Sequence, residues 1–484
     1  MSKFHYVIIV ILIGVSCLHM ACKDDFDMSF NSNPLNFSKD TLSFDTVFTT
    51  IGSATAKFMV YNTANKTVSI ESIQLMGGSD SPFRINVDGL KHANHQFYDL
   101  HMRAKDSMFV FVEVHIDPNH SSLPVLVQDS VLFTVDGKTN KVLLQAHGQD
   151  IEILRAVSLL NDTTLSPIKP YLIYDSLVVA PHATLTLPAG SKLYFHKDAD
   201  MYVYGNLVAN GTLERPIEMR GDRLDKVDYV DPIPYHYVAG QWGGLYLLSP
   251  TGQHSLNYLD MRSGTVGIYF YNGDKNANPS LELHNSKIHN FLVYNLVAVN
   301  GDLTVSNSQI TNSGSYTVYL NGGNHAFYHC TIANYYNYTA GRPTNRDEAP
   351  AVMLMDLNKQ QPMESTFKNC IIAGTTQTEL AIASKFIDKF KAEFSHSYIQ
   401  KQKDTVLNIY KDIRWFAFSD TLFVSNRYDN EKNSYFDFIP DSVSPARGLA
   451  DPIVAFQYPV DLHGKSRLAD GQPDAGAYEW YPMQ

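Results

Sequence analysis

Three near-identical phrases at a constant interval constrain this chain more than any other feature. They are Leu-Glu-Leu-His-Asn-Ser-Lys-Ile-His-Asn ending at Asn290, Leu-Thr-Val-Ser-Asn-Ser-Gln-Ile-Thr-Asn ending at Asn312, and Ala-Phe-Tyr-His-Cys-Thr-Ile-Ala-Asn ending at Asn334. Their isoleucines, Ile288, Ile310 and Ile332, lie 22 residues apart. A short fixed period marks repeats that cannot bury an apolar face alone and must stack on their neighbours. The phrase recurs with Met261, Ile372 and Ile399 at the isoleucine position, in steps of 27, 22, 22, 40 and 27 residues. Constant rungs interrupted by loops of variable length account for those steps.

A second strand follows the phrase, closing at Asn272, Asn300, Asn321 and Asn358. Each rung therefore holds at least two short strands, ended by Asn or Asn-Gly, which tolerate the left-handed backbone of a tight corner. Alternate positions face one continuous core. The recurrent Asn290, Asn312 and Asn334 read as a scaffold of stacked, hydrogen-bonded amides. On these phrases the region resembles the right-handed parallel β-helix proteins of the pectin-lyase-like group. The resemblance covers about residues 165–480, including opening phrases at 185–195 and 204–212. It implies an all-β fold, a right-handed parallel β-helix (solenoid), and leaves activity open, because one fold hosts many functions.

Between about Phe37 and Ile153 the period disappears. Alternating strands such as Met108-Phe-Val-Phe-Val-Glu-Val, with a hairpin turn at Asp136-Gly137, predict a β-sandwich. The order of phrases resembles immunoglobulin-like domains. The expected organisation is a signal peptide over 1–21, a tether over 22–36, the sandwich over 37–153, and the β-helix with a C-terminal cap over 160–484. Asp461, Arg467, Asp474 and Glu479 in the closing segment read as that polar cap, which a last rung needs against edge pairing.

The N-terminus carries an address. Lys3 precedes an apolar run from Tyr6 to Val15, too short to span a bilayer and suited to a signal-peptide core. Cys22, followed by Lys23-Asp24-Asp25, resembles the lipidated cysteine and export tag of surface lipoproteins in Bacteroidota-type bacteria; Cys17 is the alternative. The resemblance implies an outer-membrane protein, lipid-anchored and facing the cell exterior. A net charge of −11 argues against nucleic acid as a partner. Cys330 and Cys370 occupy one position of the phrase, which leaves open stacked free thiols or a disulfide.

Candidate functional residues fall in three places. Asp222, Asp225, Asp228 and Asp231 recur every third residue and could supply oxygens to Ca2+, without matching an EF-hand. Tyr229, Tyr235 and Tyr237 nearby could stack on sugar faces, while Trp242 reads as core. The 40-residue step carries Tyr335, Tyr336, Tyr338, Arg342, Arg346, Asp347 and Glu348, a loop suited to ligand contact. Asp260, Arg262 and His289 share an outward strand face and are the candidates for catalysis. The leading expectation is a non-catalytic, adhesive surface protein binding a glycan or another protein. The alternative is a polysaccharide lyase or glycoside hydrolase, with a basic proton abstractor or paired carboxylates.

Overall fold

A computed structural model describes residues 35–227, 233–274, 276–336, 349–356, 362–384, 390–404, 407–426 and 436–482. The chain divides into two compact units, 1–149 and 150–484. Almost all regular structure is β, and no helix among the described residues is long and apolar enough to cross a membrane.

The first unit holds two five-stranded sheets. Ser107–Val114 alternates buried and outward residues along its length, as a half-buried strand does. Phe58, Val110 and Val112 from one sheet share a core with Ile70, Phe133 and Leu144 from the other. Asp136 and Gly137, at φ 55° and 68°, join Val125–Val135 to Lys138–Gln149. This is the tight hairpin that the Asp-Gly pair predicts.

In the second unit, the 18- and 10-stranded sheets are parallel throughout. Their pairings resolve into three ladders, to which each pass of the chain adds one strand. Ladder I contains Ile217–Gly221, Leu259–Arg262, Lys287–Phe291, Gln309–Ser313, Thr331–Asn334 and Ile371–Gly374. Ladder II contains Leu245–Leu247, Val266–Tyr271, Tyr294–Val299 and Val318–Asn321. Ladder III contains Gln253–Asn257, Ser280–His284, Asp302–Ser306, Gly323–Tyr328 and Met363–Lys368.

The register pairs Met261 with Ile288, then Ile310, Ile332, Ile372 and Ile399. This is the alignment read from the phrase, and all six side chains are fully buried. The phrase itself is not one strand. It bends from ladder III into ladder I at Asn285, Asn307, His329 and Asn369, each at φ 50–57°. Asn307 donates to Asn285, and Asn285 to Asn257, at 2.7 and 2.8 Å. The next residue turns its hydroxyl back to the preceding pass: Ser286 accepts from the Leu259 amide and Ser308 from the Ser286 amide, each at 3.0 Å. Cys330 and Cys370 stand at that serine position as buried free thiols. Inside ladder III, Phe327, Phe367 and Phe394 stack at 4.6 and 4.9 Å.

The closing segment does not cap the last pass. It lies on the outward face of ladder I, where Ala333, Ile371, Ala373 and Tyr398 share an apolar cluster with Phe438, Leu462, Ala475, Ala477 and Tyr478. Arg467, fully buried, donates to Glu479 at 2.7 Å and to the corner amide of Asn307 at 2.5 Å. The Asp461 carboxylate accepts the amides of His463, Lys465 and Glu479. Asp474 accepts those of Gly448 and Trp480. The four charges expected on an end cap are thus the internal wiring of a flank clasp. They are buried because loop backbone laid over a sheet needs its amides satisfied. Gly476, at φ 99°, donates to the Asn369 carbonyl. A Cβ there would come within 2.7 Å of Ile371.

Candidate functional site

The outward residues of ladder I form two columns. One runs Glu218, Asp260, Lys287, Gln309, Thr331, Ile371, and the other runs Arg220, Arg262, His289, Thr311, Ala333, Ala373. The columns begin charged and end apolar, and the apolar end is where the clasp covers them. Between lies a pocket of about 470 Å³, floored by Asp260, Arg262, Lys287, His289, Gln309 and Thr311. His236 and Tyr237 of the first insert wall one side, and Phe436, Asp437, Phe438, His463 and Tyr478 of the clasp wall the other.

The three catalytic candidates therefore meet in one cavity. Arg262 bonds Asp260 at 2.6 Å and also pairs with Glu218. Its carbonyl accepts the indole N–H of Trp242 at 2.9 Å. Trp242 is buried and stacked on Phe195 at 4.2 Å, so the core itself sets the strand that carries Arg262. His289 Nε2 lies 3.2 Å from Asp260 Oδ1.

The electrostatics follow from this packing. Burial works against ionisation of Asp260, yet the Arg262 guanidinium and the His289 N–H outweigh it and hold the carboxyl well below the usual range. Burial lowers His289, and Asp260 restores it only in part, so the ring is neutral at pH 7. Its Nε2–H then points at Asp260 and Nδ1 keeps the lone pair, a tautomer assigned from the partner. Burial and the neighbouring arginines push His236 down to about 3. Burial and then Lys287 lower His463. The pocket thus offers neutral imidazoles, an ionised Asp260 locked to Arg262, and two further charges. Lys287 and Asp437 make no ion pair with any described residue, although Lys287 lies 5.9 Å from the Tyr478 ring.

The other candidates disperse. Asp222 bonds His196 at 2.6 Å and Asp225 bonds Arg223 at 2.5 and 2.7 Å, so neither is free for a shared cation. Asp228 and Asp231 lie outside the described residues, and no group of three metal-ligating side chains occurs among those described. Tyr235 lies under the Arg223 guanidinium at 4.0 Å, whereas Tyr237 reaches the pocket. Tyr335 packs edge-on to Phe423 at 6.0 Å and behind the pocket wall against Phe438 at 6.3 Å. The Tyr336 amide is held by Asn334. Tyr229, Tyr338, Arg342, Arg346, Asp347, Glu348, Cys17 and Cys22 lie outside the described residues.

Tyrosines also line ladder II, with Tyr202 stacked on Tyr246 at 5.2 Å and Tyr294 on Tyr316 at 6.0 Å. Rings stacked on one another spend a face on that contact. Lys287 was legible from the phrase alignment that yields Asp260, since it shares its column, whereas Glu218 precedes the first aligned phrase and joins the column only in the fold. His236, Asp437, His463 and Tyr478 arrive from distant segments, with no local signal to mark them.

No family model matches the chain, and no curated protein matches it. Among solved structures, a family 123 glycoside hydrolase from Clostridium perfringens matches over 24% of this chain and 25% of its own, at 11% identity and TM-score 0.17. A protein of unknown function from Porphyromonas gingivalis W83 matches over 26% of this chain and 60% of its own, at 13% identity and TM-score 0.17. The PapD-like domain 7 of human CEP192 matches over 27% and 96%, at 13% identity and TM-score 0.17. The chain spans a quarter of the length of the hydrolase, and likeness at this level carries no argument about function.

Proposed function

We propose that the protein is a lipid-anchored, outer-membrane surface protein that binds glycan in the pocket above ladder I. In this reading the second unit is a right-handed parallel β-helix, supported by the three parallel ladders and their repeat. The first unit is an immunoglobulin-like sandwich that carries it, and Cys22 bears the lipid. The observation that carries the function is the pocket lining. A cation and a carboxylate that make no ion pair among the described residues, neutral imidazoles and aromatic walls converge on one cavity, the mixture that recognises a polar ring with hydroxyls.

The test is a glycan array probed with the purified protein, in wild-type and Lys287→Met forms. Binding that survives the substitution unchanged would remove the pocket from the account. Palmitate labelling of Cys22→Ala tests the anchor, and retained label would move it to Cys17.

One observation favours a second reading, an extracellular polysaccharide lyase or glycoside hydrolase. A neutral His289 oriented by an ionised Asp260 is the arrangement of a general base. Asp260, held ionised by Arg262, is unsuited to act as a general acid, so a hydrolase would depend on Asp437. Release of unsaturated or reducing sugar ends by wild type, lost in His289→Ala, would establish the enzyme over the binder.

A further inference from the structure

We propose that the pocket takes the terminal unit of a neutral glycan and excludes the interior of a chain, a proposal that rests on the glycan-binding reading above. The outward face of a parallel ladder is a natural track for an extended polymer running along the stack. Here the track is closed at both ends of the pocket.

Toward later passes, Ala477 donates its amide to Thr331 Oγ1 at 2.9 Å. Tyr478 donates its hydroxyl to Gln309 at 2.6 Å, and Ala333, Ile371 and Ala373 are sealed beneath the clasp. Toward earlier passes, the turn Tyr235–Tyr237 packs on the strand Ile217–Gly221. Arg220 is buried there and donates to the Arg223 carbonyl at 2.6 Å. What stays open lies over three passes, two strand spacings, or roughly 10 Å along the stack. With about 470 Å³, that space holds one or two sugar rings and gives a chain no exit along the ladder.

Charge selects the class. Arg220, Arg262 and Lys287 face Glu218, Asp260 and Asp437, three cations against three carboxylates. The surrounding histidines are neutral, so the described residues of the site carry no net charge to attract an acidic sugar. Lys287 can only donate and Asp437 can only accept, and neither finds an ion-pair partner among the described residues. A sugar hydroxyl does both, so neighbouring hydroxyls satisfy the pair without bringing charge.

The experiment is an immobilised panel of mono- to hexasaccharides with neutral, carboxylated or sulfated termini, probed with the purified mature chain. Hits should share a neutral terminal residue whatever the interior. In a length series of the strongest hit, affinity should reach its plateau by two units. Lys287→Met and Asp437→Asn should each weaken that hit at least tenfold with the thermal midpoint unchanged. Affinity that climbs with every unit to six, or hits that sort by interior repeat, would mean an open track and overturn end recognition. Hits confined to acidic termini would overturn the neutral assignment while leaving glycan binding in place. If no glycan binds, the glycan reading itself falls and this proposal with it. Should either variant fail to fold, the wild-type length series still decides.

Discussion

Arg467→Met tests whether the closing segment is a flank clasp. The wild-type guanidinium is fully buried and bridges Glu479, 12 residues away, and Asn307, 160 residues away. Above about pH 8, where Glu479 is ionised, removing it orphans a carboxylate that is only 6% exposed, and breaking one side of a buried pair costs about 3–5 kcal/mol. A pair on an exposed end cap would cost about 0–1 kcal/mol. Because the two units need not unfold together, a local readout is required. Urea-dependent proteolysis of the segment after Ser444, with fluorescence of Trp480, supplies it.

The double variant Arg467→Met/Glu479→Gln should recover about 2 kcal/mol of the loss, because it removes the stranded charge. Acidity adds a signed check. Burial pushes Glu479 up to about 8 despite Arg467, so between about 4.5 and 8 the folded clasp binds a proton that the unfolded chain does not. Its stability is therefore greatest on the acid side of that window and falls as pH rises through about 8. A single-variant cost below about 1 kcal/mol, or a double variant no better than the single, would refute the clasp.

Three further outcomes are expected. His254 is buried, accepts the Leu207 amide on Nδ1 at 3.2 Å and is lowered to about 4 by burial. Its folded form resists a proton that the unfolded chain takes below about 6.5, so stability is lost as pH falls from 6.5 toward 4, by roughly 3 kcal/mol. His254→Leu should be less stable than wild type at pH 7 and more stable at pH 4.5 in urea unfolding, and parallel pH curves would exclude this account. Cys330 and Cys370 should resist alkylation in the native protein, because burial raises the Cys370 thiol well above its ordinary value. Both should label after denaturation without reductant, and failure to label would reveal a disulfide. Gly476→Ala should release the clasp, at a cost of about 1–3 kcal/mol from the crowded Ile371 and the left-handed backbone. Unchanged proteolysis of the segment would contradict it.

The periodic part of the structure is legible in the sequence, because a stacked repeat writes its register into the chain. Ile288, Ile310 and Ile332 pair because each must bury the same inward side chain at the same height, and Asp260, Lys287 and Arg262 then face outward by alternation alone. Among the strand-closing asparagines, Asn290, Asn300 and Asn312 take the left-handed turn at φ 59–62°, whereas the bends at Asn285 and Asn307 fall inside the phrase, where the pattern reads as one strand. The pocket was only half visible. Its floor belongs to the repeat, but its walls come from His236 in an insert and from Asp437, His463 and Tyr478 in a closing segment that folds back on passes more than a hundred residues earlier. No local pattern encodes that return. It depends on apolar outward positions such as Ile371 and Ala373 needing cover, and on Arg467 finding Asn307 at a corner. Burial of that kind is settled by packing in three dimensions, and it turns the charged end of an open strand face into a closed site.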